Sequence, residues 1–320
     1  LHRRRHSFPT RRSSDLCFQS FREEYLGISV AKASTLSPSG TQRVLIYGPP
    51  KVGKSLLAAK LAEVYNLLWF DLESGHDVIF QLPLEWQERI EIISIPDTRT
   101  VPMAAETMLK VIKGGEHQIC DLHGKVFCLD CMKHGRSSVT ARLDSTLPKD
   151  TIVVVDSLTQ LKNSFIAHIT KDMDELYKLQ TDDWGNLAKL VDLFLTHVQA
   201  AKFNIICISH EEEVEMVDGK TRVVPVSGSR NSSRNTAKYF DHVIYCHVKD
   251  NKHEFGSSTT YRNGIVTGSR TNAAIEDLAT PTLMNIMKGE VKKIASDTPG
   301  QTALLSLNSL KQKLTANGNS

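Results

Sequence analysis

Gly48, Pro49, Pro50, Lys51, Val52, Gly53, Lys54 and Ser55 stand consecutively and fit the pattern G-x-x-x-x-G-K-[ST]. The chemistry open to such a run is the grip of a polyphosphate. Its glycines let the backbone curl until several N–H groups face one point, and a helix starting there adds its positive end. Lys54 is then placed to reach the β and γ phosphates and Ser55 to ligate Mg²⁺, with Leu56 completing the contact set. The flanks suit this: residues 43–47 are an apolar, β-branched run of strand length, and residues 55–65 carry leucines and alanines at helical spacing.

Other groups along the chain could complete a phosphate-transfer site. Residues 151–156, Thr-Ile-Val-Val-Val-Asp, form an apolar run that ends in Asp156, a carboxylate able to hold Mg²⁺ directly or through water. Residues 68–75, Leu-Trp-Phe-Asp-Leu-Glu-Ser-Gly, end a second run with Asp71 and Glu73, either of which could act as a general base. Strand alternation gives both the same facing, so register does not choose between them. A third run, residues 204–210, ends in His210, whose ring can donate a hydrogen bond to a phosphate oxygen.

Cys120-Asp-Leu-His123 and Cys128-Leu-Asp-Cys131 are two C-x-x-[CH] pairs separated by four residues. Paired soft ligands at this spacing can close a tetrahedral Zn²⁺ site, and three Cys with one His leave no open position, so such a site is structural. His117 and His134 flank the pairs as alternatives for the fourth ligand.

The elements that must position these groups follow from the hydrophobic pattern. Strand-like runs at 44–47, 67–72, 90–95, 152–155 and 204–209 alternate with helical segments at 54–64, 103–112 and 184–201. Alternation of this kind predicts a doubly wound, mainly parallel α/β sheet. Residues 214–226 read as a hairpin turning at Asp218-Gly219, and 243–248 and 261–266 as further strands. A cysteine-rich insert occupies 114–138, and residues 290–320, rich in polar side chains, read as a flexible tail.

Residues 6–16 match one reading frame of a short-read sequencing adapter, so residues 1–16 are set aside as an expected assembly artefact and 17–42 as a lead-in. That segment holds five Arg and one Asp, which supplies +4 of the formal net charge of +3. The remainder is about −1, so composition does not indicate a net-basic nucleic-acid protein. With 40% hydrophobic and 23% charged residues in 320, the chain can bury a large core. No apolar run approaches the roughly 20 residues of a membrane span. Six cysteines, three of them clustered, suggest metal in a reducing, cytoplasmic setting rather than a secreted disulfide framework.

With these motifs in place, residues 43–289 resemble the RecA-type core ATPases. The resemblance implies a RecA-like P-loop NTPase domain that binds and hydrolyses Mg-ATP. It places Glu73 where that family carries its water-activating glutamate, and His210 where it carries a γ-phosphate sensor. RecA itself has glutamine there, and the histidine is shared in kind with KaiC-like and RadA-like relatives. Residues 261–272 are similar to the place from which such subunits send a basic residue into a neighbour's site. Arg270 is the candidate finger and Arg230 the alternative, which implies a homo-oligomer. The compact form looks like phage-borne ATPases of single-strand annealing and recombination.

In that family DNA binds two loops, which map here onto 162–183 and 211–229. Acidic residues cancel the lysines of the first, and Glu211, Glu212 and Glu213 open the second. Lys220, Arg222, Arg230, Arg234 and Lys238 come later, and 227–234 reads as a flexible backbone binder. Single-stranded DNA is therefore a partner implied by resemblance. The alternative is a RecA-fold ATPase that remodels proteins and docks them on the cysteine-rich insert. A small-molecule kinase would need an Arg-rich lid, and the hairpin after His210 argues against it.

Overall fold

The computed structural model describes residues 40–95, 97–98, 100–250, 252–256, 264–269 and 283–288. The segments expected at 1–16 and 290–320, most of the 17–42 lead-in, and Arg270 lie outside them.

Among the described residues the scaffold is an eight-stranded sheet. Its strands are β1 (Arg43–Tyr47), β2 (Asn66–Asp71), β3 (Ile90–Ser94), β6 (Thr151–Asp156), β7 (Asn204–Ser209), β10 (His242–Lys249), β11 (Lys252–Gly256) and the two-residue β12 (Gly268–Ser269). In space they run β3-β2-β6-β7-β1-β10-β11, with β12 against β10. The pairs from β3 to β10 are parallel, and β11 and β12 lie antiparallel to β10. The expected doubly wound, mainly parallel sheet is what forms.

Helices cover both faces of the sheet, which is why its central strands read as unbroken apolar runs. On one face Leu45, Tyr47, Phe70, Val153, Val155 and Ile205 pack with α3 (Met103–Val111), α5 (Leu158–Thr170) and α6 (Thr181–Ala200). On the other, Val44, Ile46, Trp69, Ile152, Val154 and Ile206 pack with α1 (Lys54–Ala59) and α8 (Met284–Met287). Burying each Val, Ile or Leu in these layers stabilises by roughly 1.5–3 kcal/mol.

Several elements depart from the sequence pattern. The helix expected over 54–64 is α-helical only to Ala59 and tightens to a 3₁₀ turn at Lys60–Glu63. The segment mapped as a loop over 162–183 begins inside α5, capped by the Ser157 hydroxyl on the Gln160 N–H, and ends inside α6. The loop proper spans only 171–180. The strand expected over 261–266 is absent from its described part, where Ile265 makes a single parallel bridge to Val223. Residues 227–234, expected to be flexible, instead run into a helix. Ser229 caps α7 (Arg230–Asn235), and the Ser227 hydroxyl lies 2.5 Å from that of Thr236.

Two hairpins project from the sheet. One pairs β8 (Glu211–Glu215) with β9 (Thr221–Pro225) and turns at Gly219, whose φ of +74° favours glycine. The other pairs β4 (Gly115–Cys120) with β5 (Ser138–Leu143) and carries a tip, residues 121–137, that contains α4 (Leu129–Lys133). This insert therefore reaches Leu143, beyond the 114–138 expected. Among the described residues no helix is long and apolar enough to cross a membrane.

Candidate functional site

The sheet order decides where the chemistry can sit. Strand β7 lies between β1 and β6, with β2 beyond β6, and all four run in one direction. Their C-terminal ends deliver the glycine-rich loop, Ser209-His210, Asp156-Ser157 and the Asp71–Glu73 turn to one sheet edge. A cleft of about 840 Å³ opens there, bordered by Lys54, Ser55, Glu73, Asp156, Ser157 and His210.

The loop between β1 and α1 is shaped by its glycines. Gly48 has φ of +149°, and a Cβ there would lie 2.0 Å from the Cys246 carbonyl oxygen on β10, so no side chain fits. Gly53, φ +87°, is the N-terminal boundary of α1, and its carbonyl accepts from the Leu57 N–H at 2.9 Å. His253 of β11 donates from Nδ1 to the Val52 carbonyl at 3.0 Å and braces the loop from outside.

Lys54 is only 6% exposed. Its ammonium donates to the carbonyls of Pro49 at 2.6 Å and Gly48 at 3.1 Å, and stands 3.5 Å from His210 Nδ1. Burial lowers its pKa, while Cys246, Asp156 and Glu73 nearby act the other way. The Ser55 hydroxyl donates to Asp156 Oδ2 at 2.8 Å. These are two hard oxygen donors at the mouth of the phosphate loop, a donor set that suits Mg²⁺. Asp156 is 5% exposed, and burial pushes its carboxyl up to about 7, with the Ser55 hydrogen bond opposing and the Glu73 and Asp71 charges reinforcing the rise.

Asp71 and Glu73 are separated by their surroundings rather than by register. Asp71 ends β2, is 2% exposed, and accepts from the N–H groups of Glu73 at 3.1 Å and Gly75 at 3.2 Å. Its other oxygen meets His76 Nδ1 at 2.6 Å. All of this holds the turn in shape. Glu73 lies past the strand end, where alternation no longer applies, and its carboxylate borders the cleft. It accepts a short hydrogen bond from the Ser157 hydroxyl and stands 3.6 Å from His210 Nε2.

His210 follows β7 directly, and its N–H is held by Thr159 Oγ1 at 2.9 Å. Burial and the Lys54 charge lower its pKa, which favours the neutral ring. With Nδ1 facing the Lys54 ammonium, the ring proton belongs on Nε2, toward Glu73 and the cleft.

Ser157, Thr159 and His253 were missed in the sequence. Ser157 caps α5 and Thr159 lies in its first turn, a helix that the apolar pattern did not show, and His253 sits on β11, an edge strand too polar to show as an apolar run. Arg230, the alternative finger, is exposed on α7 away from the cleft lining.

The basic residues named for DNA are partly engaged within the chain. Arg222 pairs with Asp218 at 3.0 Å, and Arg234 donates to the Glu215 carbonyl. Lys238 lies over the Tyr239 ring at 4.7 Å.

A family profile described as an AAA domain matches residues 41–271, most of the chain. The chain belongs to the AAA domain family. Among solved structures, this AAA domain is similar to the RadB recombinase, with 12% identity over 71% of this chain and 85% of that one, at a TM-score of 0.35. It is also similar to the ATPase domain of G40P, with 11% identity over 74% and 80% and a TM-score of 0.36. No curated protein is significantly similar to it in sequence. The matched span of the AAA domain contains the cleft residues described above and the whole β4–β5 insert.

Proposed function

We propose that residues 43–289 form an ATPase that binds Mg-ATP at the β1–α1 loop and hydrolyses it. The single observation that carries the reading is convergence: Lys54, Ser55, Glu73, Asp156 and His210, from four strand ends, border one cleft. In this reading the loop from Gly48 to Leu56 wraps the phosphates, and Lys54 exchanges its carbonyl partners for phosphate oxygens. Ser55 and Asp156 hold Mg²⁺, which supplies charge neutralisation at the transferring phosphoryl group. Glu73, aimed by Ser157, takes a proton from the attacking water, and His210 donates to the γ-phosphate oxygen.

Arg270 is the finger supplied to a neighbouring subunit in a homo-oligomer. It lies outside the described residues, so its support is the sequence resemblance. Arg270→Ala subunits mixed with Glu73→Gln subunits should recover part of the activity that each lacks alone. No recovery counts against an exchange in trans.

We further propose that the ATPase serves DNA recombination or single-strand annealing in the cytoplasm of a bacterial or phage-infected cell. The test is ATP turnover with and without single-stranded DNA, where stimulation is expected.

A second reading is an ATPase that remodels proteins without touching DNA. It is favoured by the acidic β8 beside the cleft and by Leu129 and Met132, which stand 70% and 65% exposed on the insert. Turnover indifferent to DNA would favour it over the first.

A further inference from the structure

Away from the cleft, two short loops bring four ligating side chains face to face. Cys120 ends β4, and His123 lies in the tight turn that follows. That turn is closed by the Gly124 N–H on the Cys120 carbonyl at 2.9 Å, the Cys120 N–H on the Lys125 carbonyl at 3.1 Å, and a bridge between Ile119 and Val126. Gly124 has φ of +61°, as the reversal requires. The second loop sets Cys128 at the start of α4 and Cys131 within it, fastened by the Met132 N–H on the Cys128 carbonyl and the Arg136 N–H on the Cys131 carbonyl, each 3.0 Å.

The donor atoms of Cys120, His123, Cys128 and Cys131 all lie within 4.8 Å of one another. His123 Nδ1 is 3.5 Å from Cys128 Sγ and 3.3 Å from Cys131 Sγ. A tetrahedral zinc with Zn–S of about 2.3 Å and Zn–N of about 2.0 Å has sulfur–nitrogen edges of about 3.5 Å. The two edges match that figure to a few tenths of an ångström. All three cysteines are reduced and buried.

Packing gives an independent reason for a metal. The three cysteines form a buried apolar cluster of their own, which no other buried hydrophobic side chain among the described residues joins. Ile119, Val126, Ala141 and Leu143 belong to the main core, while Leu122, Phe127, Leu129 and Met132 around the tip face outward. Three thiols bury little apolar surface, whereas ordering each residue of the tip costs roughly 1–2 kcal/mol. A tip built this way needs a bond stronger than packing to hold it.

We propose that Cys120, His123, Cys128 and Cys131 hold one structural Zn²⁺ ion, with His123 binding through Nδ1. The other histidines point elsewhere. His117 Nε2 is 3.0 Å from the Gly114 carbonyl, and His134 Nδ1 is 2.8 Å from the Asp130 carbonyl. Four protein donors fill the tetrahedron and none of them borders the cleft, so the ion orders the insert and takes no part in phosphate chemistry. The Thr107 hydroxyl of α3, donating to the Gly124 carbonyl at 2.6 Å, fastens the metal-held tip to the body of the protein.

The test is metal analysis of the full chain purified in reductant without chelator. About one zinc per chain is expected, retained in His117→Ala and His134→Ala and lost in the Cys128→Ser/Cys131→Ser double variant. Because that variant's insert will lose its order, Co²⁺ added to the metal-stripped wild-type chain supplies a second measurement. Thiolate-to-cobalt charge transfer and the intense visible bands of a tetrahedral site are expected. ATP binding by the double variant should persist, which separates failure of this site from failure of the nucleotide reading. The proposal is overturned by a wild-type chain that carries no zinc and gives no tetrahedral cobalt spectrum. Iron in place of zinc, zinc retained by the double variant, or zinc released by His134→Ala as readily as by His123→Ala would overturn it as well.

Discussion

The Ser55 hydroxyl donates to Asp156 Oδ2 at 2.8 Å, although 101 residues separate them in the chain. One residue opens α1 and the other closes β6, so the contact exists only because β7 and β1 hold those two elements at a fixed spacing. The β1–β7 pairing likewise sets Lys54 beside His210, and the β2–β6 pairing sets Glu73 beside Ser157.

Lys54→Ala should weaken ATP binding at least tenfold and abolish turnover. Charge-assisted hydrogen bonds to phosphate are worth about 1.5–3 kcal/mol each. Titration of the variant with ATP and Mg²⁺ checks this. Wild-type affinity would remove Lys54 from the phosphate site.

Glu73→Gln should keep ATP affinity and lower hydrolysis by about 10²–10⁴-fold, because the amide preserves shape without basicity. Asp71→Asn should behave differently. It replaces a buried acceptor of two backbone N–H groups and the His76 ring, and should cost about 1–3 kcal/mol of stability. Steady-state rates beside thermal melts tell the two apart. Normal hydrolysis in Glu73→Gln, with a stable but inactive Asp71→Asn, would exchange their roles.

Ser157→Ala removes two contacts at once, the tether on Glu73 and the cap of α5. Loss of a serine cap costs about 1 kcal/mol. The expected result is a lower melting temperature together with a kcat that falls while KM for ATP holds. Ser157→Thr, which retains a hydroxyl, should recover much of the rate. A melting shift with unchanged kcat would reduce Ser157 to a helix cap.

The Asp156 carboxyl, pushed up to about 7 by burial, carries a pH signature. In an unfolded chain it ionises near 3.9. Between those values the folded protein keeps a proton that the unfolded chain has released, so its contribution to stability falls as pH rises through this window. Mg²⁺ competes with that proton, so its apparent affinity should increase from pH 6 to pH 8. Chemical denaturation and Mg²⁺ titration across that range measure both trends. A Mg²⁺ affinity flat with pH would mean that Asp156 is ionised throughout.

The parallel sheet was readable because its strands are buried on both faces and so show as apolar runs, and the phosphate loop because its glycines and Lys54 are rigidly spaced. Other parts were obscured for physical reasons. Helix α5 opens with a capping serine and carries Gln160, Lys162 and Asn163 on its outer side, so its apolar stripe of Leu161, Phe165 and Ile169 was diluted. The β4–β5 hairpin is a half-exposed ribbon whose Glu116, His117 and Gln118 look like loop. The choice between Asp71 and Glu73 needed the strand's end point, since alternation holds only while the chain is extended. The fourth partner of the three cysteines depended on which histidine ring the turns orient, a matter of side-chain rotation with no trace in spacing.

No linker separates β7 from the β8–β9 hairpin: Ser209 closes one strand, Glu211 opens the next, and His210 is the single residue between. The hairpin is thus joined directly to the residue that borders the cleft. Val217 at its far end is 99% exposed and lies about 20 Å along the chain at the rise of an extended strand. The Val226 N–H donates to the His210 carbonyl at 2.9 Å, so the hairpin leaves and rejoins the body at the one residue that also borders the cleft.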